Sequence, residues 1–223
     1  MDDELSFSDH ISDICKKASQ KVGVLARLRN LISCETKLHL YLTAILPNLT
    51  YCHTVWHFCK VSDRRKLERV QEHALRVIFN SKTDTYDVLL SRAKLPSLYN
   101  RRLQDIAILM FKVKNGLAPD YIMELFRNSN KGYSLRNADF DLPRFSSVRY
   151  GKHSIRYLGP YLWSRLSAVD RKRLTIGNFR NSIRDKDLTA LIDDACSYCA
   201  ICASWDLTIY LCIYLSLLLL LSF

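Results

Sequence analysis

The sequence predicts a mainly α protein: a helical bundle over residues 1–127, a small basic module over 128–190, a Cys-rich end over 191–205 and an apolar tail helix over 206–223. Three observations predict it. Glycine and proline number only 6 and 5 in 223 residues, too few breakers for a turn-dense all-β fold. Apolar residues make up 48% of the chain, enough for a sizeable core and unlike a disordered composition. Those apolar residues recur at spacings of three and four, which places them on single faces of helices.

The first such face is Ile11, Ile14, Ala18, Val22, Leu25 and Leu28, which predicts a helix over residues 8–30 with Ser8 capping its start. Residues 35–58 read as a second helical stretch, apolar nearly all round and so expected to be deeply buried. Pro47 lacks an N–H and clashes with the preceding turn, so it should kink or split that stretch. A third helix is expected over residues 62–79, with Leu67, Val70, Ala74, Val77 and Ile78 inward. A short helix over 86–92 follows, then a longer one over 97–114 that Asn115-Gly116 and Pro119 end, and one more turn over 121–127.

The texture changes after residue 128. Residues 129–160 are polar, aromatic and basic, broken by Gly132, Pro143, Gly151, Gly159 and Pro160. Phe140–Leu142 and Ser154–Leu158 have the composition of short strands, and a small β-hairpin is one reading of them. Helical pattern returns at residues 161–166 and 178–184.

The formal net charge is +11, a surplus that points to a polyanionic partner, nucleic acid before anionic membrane. Asp206 is the only charged residue from position 206 onward, so residues 1–205 carry +12. Met1 is followed by Asp2, Asp3 and Glu4, the wrong charge for the start of a secretory signal. The 8 cysteines are therefore expected in a reducing compartment, as thiols or in part as metal ligands.

Three stretches together resemble jockey-like non-LTR (LINE-type) retrotransposon reverse transcriptases. DDELSFSDHISDICKKAS, at residues 2–19, resembles the segment that closes that family's polymerase domain and leads into the thumb helices. LERVQEHALRVIF, at residues 67–79, resembles the family's Arg-bearing helix. Residues 147–184 resemble its closing element, with a basic loop, the phrase Gly159, Pro160, Trp163, Leu166, and a last helix carrying Phe179 and Ile183. The likeness runs over residues 2–202, and it is the order and spacing of the motifs that make it specific.

The resemblance implies a thumb-like bundle and a C-terminal nucleic-acid-binding region of an RNA-directed DNA polymerase. That family's catalysis needs an aromatic-x-Asp-Asp turn and a further Asp to hold two Mg²⁺ ions. No such turn stands in this sequence. Leu191-Ile192-Asp193-Asp194 has no aromatic before its acids and reads as helix with two solvated carboxylates. The chain is thus expected not to be an enzyme by itself. Its implied partners are RNA or DNA, and an intact polymerase acting in trans.

Arg65, Arg69 and Arg76 line up opposite the apolar face of their helix, where spacings of four and seven suit successive backbone phosphates. The plainer alternative is a solvated face on which Glu72 and Arg76 pair. Arg144, Arg149, Lys152, His153 and Arg156 alternate with Phe145, Tyr150 and Tyr157. Charge can follow a strand there while rings stack on bases, or the rings can simply tuck into the core. Cys196, Cys199 and Cys202 have the spacing of zinc thiolates. A fourth ligand would have to come from afar, for instance from Cys52, His53, His57 or Cys59; free thiols are the alternative. His53 and His57 stand one helical turn apart, with core histidines favoured over a metal pair.

Leu207–Phe223 contains no charge and would rise about 25 Å as a helix, just short of a hydrocarbon core of about 30 Å. It reads as a membrane anchor, or as translated flanking DNA appended to a decayed copy without function. Localisation follows that choice: nuclear or cytoplasmic if soluble, membrane if the tail inserts.

Overall fold

A computed structural model describes residues 7–126, 139–146 and 151–192. The chain divides into two compact units, Met1–Thr189 and Ala190–Phe223. In the second, only residues 190–192 are described, and they continue the 3-10 turn Thr189–Leu191.

The described residues of the first unit are mainly helical, and no strand occurs among them. Helix α1 spans Ser8–Arg27 and buries Ile11, Ile14, Ala18, Val22 and Leu25 of the predicted face, whereas Leu28, expected on it, caps the helix end and is only half-buried. Ser8 does not cap it. Phe7 holds the N-cap position with φ 55°, and the Ser8 hydroxyl donates instead to Asp63 across the bundle at 2.7 Å.

Helix α2 spans Cys34–Leu40, with the Ser33 hydroxyl accepting from the Thr36 N–H. A wide π turn, Tyr41–Ile45, follows, and then α3, Leu46–Thr50, with Pro47 in its first turn. The π turn explains how proline is accommodated: the widened turn loosens the ladder just where Pro47 offers no donor. The expected deep burial of residues 35–58 is corrected. Tyr41, Ile45, Leu46, Leu49 and Trp56 are buried, but Leu40, Leu42, Tyr51 and Val55 are exposed, because the run keeps one inward side despite its uniform composition.

Helix α4, Val61–Phe79, packs on α1 through Leu67, Ala74, Leu75 and Ile78. Helix α5 is Tyr86–Ala93 and α6 is Leu98–Lys114. Ser97 caps α6 through the Asn100 N–H at 3.1 Å. Its far end closes as the sequence expects, with the Asn115 amide on the Phe111 carbonyl and Gly116 at φ 66°, where a side chain would be strained. Helix α7 is Asp120–Leu125.

The strand expected at Ser154–Leu158 is instead the start of α8, Ile155–Arg165. The physical reason is sidedness at helical period: Leu158, Leu162, Trp163 and Leu166 go inward together. Residues 140–142 are irregular, so no hairpin forms there among the described residues. Gly159 lets α8 approach α6 closely, since a Cβ there would sit 2.5 Å from the Met110 sulfur. Helices α9, Ala168–Arg171, and α10, Ile176–Arg184, complete the unit. Phe111, Trp163 and Phe179 form a ring cluster, with Phe111 and Phe179 stacked at 4.7 Å and Trp163 at 5.8 Å from Phe179. The buried amides of Asn100 and Gln104 hold the carbonyls that end α10, at Lys186 and Ile183.

One carboxylate ties three helices. Glu68 of α4 accepts the Leu98 and Tyr99 N–H groups at 3.2 and 2.8 Å and the Tyr86 hydroxyl at 2.6 Å. Those two N–H groups are orphans of the first turn of α6, and the negative charge also suits the positive end of that helix. Glu68→Ala should therefore cost about 2–4 kcal/mol of stability by urea unfolding, because it strands three donors at once. Glu68→Gln, which keeps an acceptor, should cost less.

Candidate nucleic-acid interface

Helix α4 presents its arginines unequally. Arg76 is committed locally: it donates to Glu72 at 2.7 and 3.2 Å and to the Lys82 carbonyl at 3.0 Å. The Glu72–Arg76 pair is thus the one the solvated-face reading anticipates. Arg65 and Arg69 lie one turn apart, are exposed, and make no hydrogen bond or ion pair among the described residues. Two exposed guanidinium groups at this spacing can each take a phosphate oxygen.

A second basic edge lies on α8. Tyr157, Tyr161 and Arg165 follow one another at intervals of four on its outward side. Phe145 meets Tyr157 edge-on at 5.1 Å, Tyr157 stacks on Tyr161 at 5.9 Å, and the Arg165 guanidinium lies 5.2 Å over the Tyr161 ring. The rings therefore form a ladder with one another rather than entering the core. Phe145, at its end, remains 42% exposed. Gly151 is required beside it, since a Cβ there would fall 2.3 Å from that of Phe145. Arg144 and Arg156 are exposed along this edge, and Lys152 is half-buried. Arg149 lies outside the described residues, as do Tyr150, Cys196, Cys199, Cys202 and Leu207–Phe223.

Trp163, part of the family-like phrase, is structural. Its indole N–H donates to Asp139 at 2.8 Å, and Lys114 donates to the same oxygen at 2.9 Å. Burial raises the Asp139 pKa, but those two donors outweigh it and the carboxyl sits below its ordinary value.

The segment between α3 and α4 carries a cluster that sequence reasoning missed. Arg102 of α6 is only 1% exposed, yet its Nε and Nη2 have no hydrogen-bond acceptor. Its guanidinium lies 5.3 Å from the Trp56 ring and 5.6 Å from the Tyr99 ring. Arg64 sits over the same Tyr99 ring at 4.4 Å, and the His57 imidazole stacks on it at 5.5 Å. The His57 Nδ1 is buried and also without a partner. His53 pairs with Asp105 at 2.7 Å. Both histidines are buried, as core histidines would be, and among the described residues no three His, Cys, Asp or Glu side chains gather to hold a metal. Burial raises the Cys59 thiol above its usual pKa, which disfavours the thiolate a metal needs. Nothing in the sequence marks Arg102, because its neighbours beyond α6 come from Tyr51–Lys60 and from α4.

Burial, and then the charges of Arg102, His53, Arg64 and His153, hold the His57 pKa well below the ordinary 6.5. The folded chain therefore keeps His57 neutral at pH values where the unfolded chain takes up a proton. Stability is present in full above about pH 6.5 and falls as the pH drops toward the folded value. Urea unfolding at about pH 7.5 and about pH 5.5 should show the loss, and His57→Phe, which keeps the stacking on Tyr99, should reduce it.

Among the chain's wider relations, no family model, no curated protein and no solved structure matches it.

Proposed function

We propose that this chain is a non-catalytic nucleic-acid-binding protein of the retrotransposon reverse-transcriptase kind, gripping template–primer or element RNA by phosphate contacts. The observation that carries the reading is the Arg65–Arg69 pair: two adjacent guanidinium groups on a rigid, well-packed helix, exposed and uncommitted. A net charge of +11 supplies the long-range attraction that brings a polyanion to such a surface. The α8 edge adds Arg144 and Arg156 beside a ring ladder whose last ring, Phe145, is open to a splayed base. The resemblance of residues 67–79 and 147–184 to the reverse-transcriptase thumb and closing element agrees with these two edges as the contact surfaces.

Phosphate contacts release counterions, so affinity for RNA should fall steeply and linearly on a log–log salt plot. Arg65→Ala combined with Arg69→Ala should lower affinity about tenfold at low salt and flatten the slope by about two. A fluorescence-anisotropy titration of the full chain with structured RNA, single-stranded DNA and duplex measures both. Binding that is absent at low salt in a folded sample, or indifferent to the two arginines, defeats the proposal. Arg76→Ala serves as the contrast. Its ion pair is partly exposed, so it should cost about 0.3–1 kcal/mol of stability while leaving the salt slope nearly unchanged.

A further inference from the structure

We propose that Arg102, His57 and Arg64 form a recessed receptor for a single phosphate group, one borne by the nucleic-acid strand that Arg65 and Arg69 hold. The proposal rests on the nucleic-acid reading above and specifies where one phosphate of that strand is read.

Arg102 is a buried guanidinium with unpaired donors. A guanidinium is always protonated in proteins and its N–H groups are directional donors. Arg102 is 1% exposed, and two of those nitrogens have nothing to donate to. The Trp56 and Tyr99 rings, 5.3 and 5.6 Å away, stabilise its charge but supply no hydrogen-bond acceptor to its Nε and Nη2. The neighbouring carboxylates are occupied elsewhere: Glu68 by Leu98, Tyr99 and Tyr86; Asp63 by Ser8 and Lys66; Asp105 by His53. The remaining polar neighbours are Arg64, His57, His153 and Cys59, none of which brings a negative charge as an ordinary thiol or imidazole. Glu68 eases the charge of Arg102 but leaves its Nε and Nη2 unpaired, and an incoming anion relieves that remaining penalty.

The ligand's class follows from the donors. Arg102 comes from α6, His57 from the segment before α4, and Arg64 from α4 itself, and all three gather around the Tyr99 ring. His57 donates from Nδ1 when that nitrogen carries the proton. Two guanidinium groups and an imidazole supply only N–H donors, which suits an anion with several acceptor oxygens, as a phosphate has. Arg64 directly precedes Arg65 on α4, so the cluster adjoins the exposed arginine edge. Arg64 and Tyr99 are half-buried, and Tyr51–Lys60, which carries Trp56 and His57, is turn and irregular backbone rather than helix.

Inorganic phosphate is the probe, titrated into the full chain at constant ionic strength against chloride, with melting temperature and tryptophan fluorescence as readouts. A saturable rise in melting temperature is expected. Arg64→Gln and His57→Phe should each weaken the apparent affinity about tenfold, while the surface control Arg92→Gln leaves it unchanged. Arg102→Met should abolish the response; if that variant does not fold, the Arg64 and His57 variants decide. Oligonucleotides with and without a 5′-phosphate separate the two sources. Tighter binding of the phosphorylated strand assigns a terminal phosphate, and equal binding that Arg64→Gln weakens in both assigns a backbone phosphate. No saturable response in the wild-type chain, or one that all variants share, overturns the receptor. RNA binding that depends on Arg65 and Arg69 would survive that outcome, so the receptor and the function above fail separately.

Discussion

Glu68 is the junction on which the described architecture depends. A carboxylate on α4 satisfies the first two donors of α6 and the hydroxyl that opens α5, so three helices share one acceptor pair. Once α6 is fixed there, both of its sides are committed. One faces the α1–α4 core; the other carries Met110, Phe111 and Gln104 toward α8 and α10. The same carboxylate stands close enough to Arg102 to ease its burial, yet its oxygens are already engaged by three donors. The junction carboxylate thus lends its charge to the buried guanidinium without hydrogen-bonding the Arg102 Nε or Nη2.

The basic surface is divided by the same economy of acceptors. Arg76 and Arg92 are drawn into ion pairs with Glu72 and Asp84, and Lys114 and Lys186 into pairs with Asp139 and Asp170. Arg65 and Arg69, by contrast, are exposed and have no such acidic partner among the described residues.

Much of the fold is legible in the sequence because helices advertise their inward faces. Ile11 to Leu25 recur at three and four and are all buried, and Ser97 and Asn115-Gly116 punctuate α6 as capping chemistry requires. The stretch around Pro47 is less legible, since a uniformly apolar run hides which side turns inward and the π turn leaves no mark in residue type. Ser154–Leu158 misleads for a different reason: five residues are too few to show a helical period, and Leu162 and Trp163 supply it only beyond them. Of the candidate interface, the arginine stripe is legible by spacing, whereas the commitment of Arg76 to the Lys82 carbonyl is not. Arg102 is illegible outright, because an arginine inside a helix reads as solvated until Trp56, His57 and Arg64 are brought around it from elsewhere.

The central claim is that nucleic acid lies along the outward edge of α4, with the α8 edge beside its rings as the second contact. Photocrosslinking of the full chain to RNA, with the linked peptides mapped by mass spectrometry, tests it most directly. The account predicts crosslinks concentrated in residues 61–72 and 144–165, competed away by excess unlabelled RNA. Crosslinks confined to residues 193–223, or none in a folded sample, would contradict it.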